Sequence, residues 1–255
     1  MIKVLVAGFQ GAMGQQAVRL IEHDQQLELV AVYSPHATRN ASVPTGCQLF
    51  TQLTAIQTDA QVWVDFSTPA GATENAKFAL AHNLIPIIGT SGLSSETIQA
   101  LQEFAKTQHQ KGLLVPNFGL SAVLLMQFAK QAARYFPDAE IIEMHHADKR
   151  DSPSGTAIST AEQIAIGRQG TPFEAPQTTE TIPGARGAHY ENVPIHAVRL
   201  PGYVAHEQVL FGGPGEALTI RQDSFDRSSF MHGLRLALLN TNKLSGFMVG
   251  LENVL

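Results

Sequence analysis

Cysteine is almost absent from this chain, since Cys47 is the only one among 255 residues. A single thiol cannot form an intrachain disulfide, and no group of Cys or His residues has the spacing of a structural zinc site. No apolar run approaches the roughly 18 residues that a membrane span needs, and Met1 leads into a glycine turn without a cleavable apolar segment. The sequence therefore predicts a cytoplasmic protein with no metal, no membrane contact and an unreactive, buried or half-buried Cys47.

Positive charge is also scarce. Lys and Arg total 17 against 22 Asp and Glu, which gives a net charge of −5. This sign disfavours partners whose binding depends on neutralising phosphate backbones, so nucleic acid is excluded as an expected partner. Hydrophobic residues, at 44%, are instead plentiful enough for the core of one large domain or two smaller ones.

The first third of the chain alternates short apolar runs with helical patterns, as in βαβ units. Strands are predicted at 2–7, 29–33, 62–66, 84–88 and 113–115, and helices after the first glycine turn, at about 70–82 and at 95–107. Because the strands are apolar on both faces, they predict a parallel sheet covered by helices. This part of the chain is expected to form a Rossmann-type domain of α/β class.

The pattern changes after Asn117. Helices are predicted at about 121–135, 155–168 and 227–241, and strands at 140–145, 195–200, 204–211 and 217–222. Residues 169–190 are rich in Pro, Gly and Thr and are expected to form an exposed loop, and the last helix is expected to end the ordered pattern. We predict a dinucleotide-binding domain of residues 1–118 plus 228–255, with an inserted α+β domain of residues 119–227.

A glycine turn joins the first strand to the first helix. It comprises Gly8, Phe9, Gln10, Gly11, Ala12 and Met13, followed by Gly14. Such turns bring the backbone and a helix N-terminus close to a pyrophosphate. The GxxGxxG spacing departs from GxGxxG, so a plain βα turn is the alternative.

Two further loops directly follow predicted strands, namely residues 65–69 and the turn of Gly89, Thr90 and Ser91. Ligands of open parallel sheets bind beyond the carboxyl ends of the strands, so both loops are expected at one crevice with the glycine turn. Helix capping by Thr68 or Ser94 is the alternative, and the two roles are compatible.

Residues 143–157 contain the highest concentration of potentially catalytic side chains in the chain. Imidazole groups of His145 and His146 can relay protons near neutral pH, and Lys149 can supply a proton or a fixed positive charge. Ser154, Gly155 and Thr156 open a helix whose N–H groups suit a carboxylate. The alternatives are a metal site, which the opposite projection of adjacent strand residues disfavours, and a capped helix beside two surface histidines.

Two arginines outside this segment, Arg199 and Arg227, are candidates for binding an anion. A solvated arginine is the more common outcome for such residues.

Residues 143–157 also carry a family resemblance. Every fixed position of the pattern E-x-H-H-x-x-K-x-D-x-P-S-G-T-A is present, and the sequence resembles the dihydrodipicolinate reductases, also called 4-hydroxy-tetrahydrodipicolinate reductases. The resemblance extends over nearly the whole chain, including residues 6–14, 64–69, 88–93, 116–125, 199–224 and 252–255.

The resemblance implies roles for individual residues. It implies His145 as proton donor or acceptor, Lys149 as proton donor, and substrate binding by His146, Gly155 and Thr156. Dinucleotide contacts are implied on the glycine turn and on the 89–91 turn. The same is implied for Val115, Pro116, Asn117 and Phe118.

The implied reaction is reduction of a cyclic dicarboxylated imine-type substrate to tetrahydrodipicolinate, with loss of the 4-hydroxyl as water and with NADPH or NADH as reductant. A homotetramer built through the sheet of the second domain is implied as well. The competing hypotheses are another nicotinamide-dependent dehydrogenase, such as one acting on an amino acid, and a nucleotide sensor without turnover.

The loop after the second strand generates a prediction about the nucleotide. NAD-preferring folds place an Asp or Glu there, whereas residues 29–58 contain no acid, and Ser34, His36 and Arg39 can contact a 2′-phosphate. We expect both nucleotides to be used with a preference for NADPH. The ratio of kcat/KM for NADPH and NADH measures this, and Arg39→Ala should reduce it; a wild-type preference for NADH, or an unchanged ratio in the variant, would contradict the assignment.

Overall fold

The computed structural model describes residues 1–38, 43–169 and 179–255. The chain divides into two compact units, one of Met1–Phe118 with Phe230–Leu255 and the other of Gly119–Ser229. Among the described residues, no helix is both long enough and apolar enough to cross a membrane.

The first unit is built on a parallel sheet. Its strands are β1 Ile2–Ala7, β2 Leu27–Tyr33, β3 Gln48–Phe50, β4 Val62–Asp65, β5 Ile85–Ile88, β6 Gly112–Leu114 and β12 Phe247–Val249. Its helices are α1 Ala12–His23, α2 Pro69–Ala81, α3 Ser95–Thr107 and α6 Ser229–Leu239. Within the described residues the strand order is β12-β6-β5-β4-β1-β2-β3, with all pairs parallel.

The core of this unit explains why its strands are nearly continuously apolar. Residues 4–7 and 62–65 are almost fully buried, because helices cover both faces of a parallel sheet. The α/β class and the Rossmann-type sheet predicted from the sequence are confirmed.

The second unit has a mixed sheet with two helices on one face. Its strands are β7 Asp138–His145, β8 Ala188–Tyr190, β9 Val193–Arg199, β10 Ala205–Gly213 and β11 Glu216–Ser224, and its helices are α4 Leu120–Ala132 and α5 Gly155–Gly167. The strand order is β11-β10-β7-β9-β8, and among the described residues only the β7–β9 pair is parallel. Apolar residues of α4 and α5 pack on alternate residues of the strands, such as Ile141 and Val209, which confirms the α+β character.

Two expectations about irregular segments are wrong. The last predicted helix does not end the ordered structure, because β12 pairs with β6 and 3-10 turns follow at Thr241–Lys243 and Leu251–Val254. The segment 169–190 is not loop throughout, since β8 pairs with β9, while residues 170–178 lie outside the described residues. The strands β8 and β12 have three residues each, which is too short for an alternation of apolar and polar residues to be recognised in the sequence. They are defined only by their pairing with neighbouring strands.

Cys47 is half-buried, as predicted, and burial raises the pKa of its thiol to about 11. A thiol that resists ionisation is a poor nucleophile at neutral pH.

Candidate active site

The glycine turn after β1 has a geometry that only glycine permits. Gly8 has φ of +73°, and a Cβ on it would lie 2.4 Å from the carbonyl oxygen of Phe66. A Cβ on Gly14 would lie 2.1 Å from the carbonyl oxygen of Gly8, so α1 packs directly on the turn. In the described structure no side chain caps α1 at Gly11. This arrangement leaves a helix N-terminus next to a tight turn, as a pyrophosphate requires.

Four loops share the carboxyl edge of the first sheet. They follow β1, β4, β5 and β6, which are neighbours in the sheet, and they contain the glycine turn, residues 66–68, residues 89–91 and residues 115–118. The sheet order reverses at β1, with β2 on one side and β4 on the other, and such a switch point forms a ligand crevice. Arg39, assigned to the nucleotide from the sequence, lies outside the described residues.

One buried carboxylate connects these loops. Asp65, fully buried at the end of β4, accepts hydrogen bonds from Ser67 Oγ at 2.6 Å, Thr90 Oγ1 at 3.1 Å and Asn75 Nδ2 at 2.7 Å. The Trp63 indole N–H also donates to it at 3.1 Å. A buried carboxylate with this many donors fixes the loops after β4 and β5 relative to each other and to α2.

The nucleotide candidates differ in exposure. Gln10, Gly11, Ala12, Ser91 and Pro116 are exposed, and Gly8, Met13, Gly89 and Asn117 are half-buried. Phe9, Ser34, Thr90, Val115 and Phe118 are buried. A Cβ on Gly89 would lie 2.3 Å from the Phe66 ring and 2.7 Å from the Phe118 ring, so both rings pack closely against this glycine. The buried members therefore shape the loops, and the exposed members and the backbone groups are the ones accessible to a ligand.

In the second unit, Glu143 on β7 holds the candidate acid–base site together. Its fully buried carboxylate forms a two-point ion pair with Arg199, from Nη1 to Oε2 at 2.7 Å and from Nη2 to Oε1 at 2.8 Å. The His145 Nδ1 lies 2.6 Å from Oε2, and the Ser154 N–H donates to Oε1 at 3.0 Å. Arg199 Nη2 also donates to the Asp151 carbonyl at 2.7 Å. One ion pair thus positions the end of β7, the 151–154 turn and the start of α5.

The ionisation of Glu143 follows from these contacts. Burial by itself would raise its pKa, but the hydrogen bonds from His145, Arg199 and the Ser154 N–H outweigh burial and lower the pKa to about 2. The carboxylate is therefore charged at neutral pH and favours a proton on His145 Nδ1.

The remaining substrate candidates surround this centre. Ser154 is buried, and its hydroxyl caps α5 by accepting from the Ala157 N–H at 3.2 Å, while Gly155 is exposed in the first turn. Lys149 Nζ donates to both oxygens of Asp151 at 2.8 Å, which lowers the pKa of that carboxyl.

His146 is exposed just beyond β7, and Thr156 is half-buried. Within the described residues, no three His, Cys, Asp or Glu side chains are grouped to hold a metal ion.

The structure differs from the sequence expectation at Arg199, which is half-buried in the ion pair with Glu143 rather than solvated. Arg227 is exposed.

The sequence pattern of residues 143–157 contains Glu143 as its first fixed residue, but the sequence alone gave this residue no role. Its partner lies 56 residues away along the chain, on β9, and pairing of β7 with β9 brings the two together.

Helix capping, the alternative for two loops, is realised by Thr68, which accepts from the Gly71 N–H, and by Ser94, which accepts from the Thr97 N–H.

The whole chain is similar to proteins of one known family. Residues 2–118 match the N-terminal part and residues 121–255 the C-terminal part of dihydrodipicolinate reductase. The 4-hydroxy-tetrahydrodipicolinate reductase of Lactiplantibacillus plantarum is 54% identical, with both chains covered completely. That of Streptococcus pneumoniae is 49% identical over 100% of this chain and 99% of the relative. A dipicolinate-bound dihydrodipicolinate reductase from Paenisporosarcina sp. TG-14 superimposes with a TM-score of 0.91 at 40% identity, covering both chains fully.

The matched family and the curated relatives are reductases, which places the chain in the oxidoreductase class. Within that class, the chain belongs to the dihydrodipicolinate reductase family.

The depressed pKa of Glu143 generates a prediction about stability. Its folded pKa of about 2 lies below the ordinary 4.5, so its stabilisation is present above pH 4.5 and is lost as the pH falls toward 2. Glu143→Gln leaves the Arg199 charge unpaired, and we expect a loss of about 3 kcal/mol at pH 7.

Urea unfolding at pH 7, 5 and 3 measures this effect, and the gap between wild type and variant should narrow at the lowest pH. Glu103→Gln, which changes an exposed carboxyl on α3, is the control. An equal gap at all three values would contradict the charged state assigned to Glu143.

Proposed function

We propose that this protein is a 4-hydroxy-tetrahydrodipicolinate reductase, which reduces (2S,4S)-4-hydroxy-2,3,4,5-tetrahydrodipicolinate to (S)-2,3,4,5-tetrahydrodipicolinate with loss of water, in the diaminopimelate route to lysine. The observation that carries the proposal is the histidine held by Glu143 and Arg199 beside the start of α5, in a chain that matches the family from end to end.

His145 is proposed as the catalytic acid–base group. With a proton on Nδ1 held by Glu143, the Nε2 atom is left to exchange a proton with substrate. Positioned acid–base catalysis of this kind is typically worth about 10²–10⁴ in rate. Lys149 serves as a second proton donor.

The substrate site is proposed at the 146–156 turn. Two substrate carboxylates call for cationic and N–H donors together, which His146, Lys149 and the first turn of α5 at Gly155 and Thr156 supply. The dipicolinate bound by the Paenisporosarcina reductase is such a dicarboxylate. Asp151 already engages Lys149, so a substrate carboxylate would share or replace this partner.

The nucleotide site is proposed at the carboxyl edge of the first sheet. The glycine cradle and the helix N-terminus without a side-chain cap fit a dinucleotide. The residues that would hold it are Gly8 to Met13, Gly89 to Ser91 and Val115 to Phe118, with Ser34 and Arg39 for a 2′-phosphate. NADPH or NADH, when bound, supplies the hydride.

Reduction is tested by following NAD(P)H absorbance with the freshly made product of dihydrodipicolinate synthase. Replacing His145 by Gln or Lys149 by Ala should lower kcat by about 10²-fold or more and change nucleotide affinity little, because both roles concern proton transfer and substrate charge.

His189→Gln and Lys106→Ala change exposed residues of the same types and serve as controls. Nucleotide binding without turnover would favour a sensor instead, and near wild-type kcat in either site variant would remove that residue from the mechanism.

A cytoplasmic homotetramer assembled through the second sheet is proposed as the working form. The sheet face opposite α4 and α5 carries half-buried apolar residues, including Ile142, Met144 and Leu210. Apolar surface on an open sheet face is typical of subunit interfaces.

Light scattering should therefore give four times the chain mass of 27.5 kDa. Leu210→Lys should lower this mass, because it places a charge on the open face. Glu162→Lys, which changes an exposed residue of α5 on the other side of the sheet, is the control and should leave the mass unchanged. A monomeric wild type, or an unchanged mass in Leu210→Lys, would contradict assembly through this face.

A further inference from the structure

A second carboxyl group lies next to Glu143 and has no part in the mechanism above. Glu207 on β10 is directly opposite Glu143 on β7 in the strand register, and its exposed fraction is only 1%. Side chains at paired positions of adjacent strands lie on the same face of the sheet, which here is the face covered by α5.

The contacts of the Thr160 hydroxyl on α5 bear on the ionisation state of Glu207. The Thr160 hydroxyl lies 3.0 Å from the Thr156 carbonyl oxygen and 2.5 Å from Glu207 Oε1, but it has one hydrogen to donate. The single hydroxyl hydrogen serves one of these contacts fully, and the other is a full hydrogen bond if Glu207 carries a proton that it donates to Thr160. The close approach of the two oxygens therefore favours a protonated carboxyl.

The second oxygen of Glu207 supports the same state. Among the described residues, Oε2 is buried and has no hydrogen-bond partner. Leaving a carbonyl oxygen of a neutral acid unpaired costs far less than leaving part of a carboxylate charge unpaired.

The surrounding charges do not compensate a second carboxylate. The register partners of Glu207 are Glu143 on β7 and the neutral Gln222 on β11, and Arg199 forms its ion pair with Glu143. On α4 and α5, Lys130 lies in the last helical turn, and exposed Glu162 accepts from the Tyr190 hydroxyl. Arg168, the C-cap of α5, donates to backbone carbonyls. On β11, Arg221 pairs with Asp223, and Glu216 is exposed.

We propose that Glu207 is a neutral carboxylic acid in the working enzyme and is a positioning residue, which keeps Glu143 as the single negative charge that holds His145. This proposal rests on the proposed function of His145. Burial, with a smaller contribution from the charge of Glu143, raises the pKa of Glu207 to about 7. Two neighbouring carboxyls thus hold opposite protonation states, an arrangement that active sites use to separate acid and base roles.

The charge near His145 depends on the ionisation of Glu207. When Glu207 ionises near neutral pH, a second negative charge appears beside Glu143, and the charge that acts on the His145 ring changes. Glu207→Gln is the matched variant, because its amide has the shape of the neutral acid, can donate to Thr160 and never ionises.

The first experiment measures Glu207 directly in the full chain. In protein labelled with ¹³C at the Glu carboxyl carbon, the signal absent from Glu207→Gln should report a protonated acid at pH 6 and ionise near neutral pH. A carboxylate signal at pH 5 would overturn the proposal. This readout does not depend on turnover, so its failure is distinct from failure of the proposed reductase activity.

The second experiment measures the coupling to His145. The His145 ring signals of wild type should change as Glu207 ionises near neutral pH, and this change should be missing in Glu207→Gln. The alkaline limb of the kcat/KM profile should differ between wild type and variant, with the KM for nucleotide unchanged. Ring signals and a kcat/KM profile that are the same in both proteins would show that Glu207 has only a structural role and would overturn the positioning assignment.

The third measurement checks folding of the variant. A carboxyl whose pKa is higher in the folded than in the unfolded chain stabilises below the unfolded pKa, and this stabilisation is lost as the pH rises through the folded pKa. The ratio of the unfolding constants of wild type and Glu207→Gln should therefore rise about tenfold per pH unit between about pH 4.5 and 7. Glu216→Gln, an exposed carboxyl on β11, should show no such rise, and a flat ratio for Glu207→Gln would contradict the neutral state.

Discussion

The ion pair between Glu143 and Arg199 is the interaction on which the candidate acid–base site depends. A buried carboxylate is costly unless it is paired and hydrogen-bonded, and here both oxygens are satisfied by Arg199, the His145 ring and the Ser154 N–H. The same arginine reaches the Asp151 carbonyl. Strand end, turn and helix start are therefore held by one desolvated charge pair, and loss of either charge would release all three.

The first unit uses a related solution at the nucleotide edge. Asp65 is buried at the end of β4, and its carboxyl group accepts hydrogen bonds from neutral donors, among them Ser67, Asn75 and Thr90. Its donors come from two loops and a helix, so the edge formed by several parallel strands is set by one side chain. The glycine turn needs no such carboxylate, because close packing of Gly14 on Gly8 already restricts its backbone.

Charge is distributed to suit an anionic substrate despite the net charge of −5. His145, Lys149 and Arg199 lie near the start of α5, and two acidic groups there, Glu143 and Asp151, are paired with Arg199 and Lys149 respectively. Glu207, next to Glu143, is the exception in the proposed scheme, since as a neutral acid it adds no charge. Net charge therefore describes the whole surface, whereas local pairing decides what the site presents to a ligand.

Periodic elements and groups of reactive residues that are adjacent in the chain were predictable from the sequence alone. The strands at 2–7 and 62–66 and the helix at 95–107 follow from the periodicity of their apolar residues, which reflects burial. The histidines and the lysine of the segment 143–157 are neighbours in the chain and can be read from it. Tertiary structure decided the rest. The strands β3, β8 and β12 exist only through pairing, and Arg199 meets Glu143 only because β9 lies beside β7. Likewise, the state of Glu207 depends on Thr160, which is 47 residues away along the chain and meets it only when α5 packs on β10. Hydrogen bonds and charge pairs depend on distance in space, which a linear pattern does not contain.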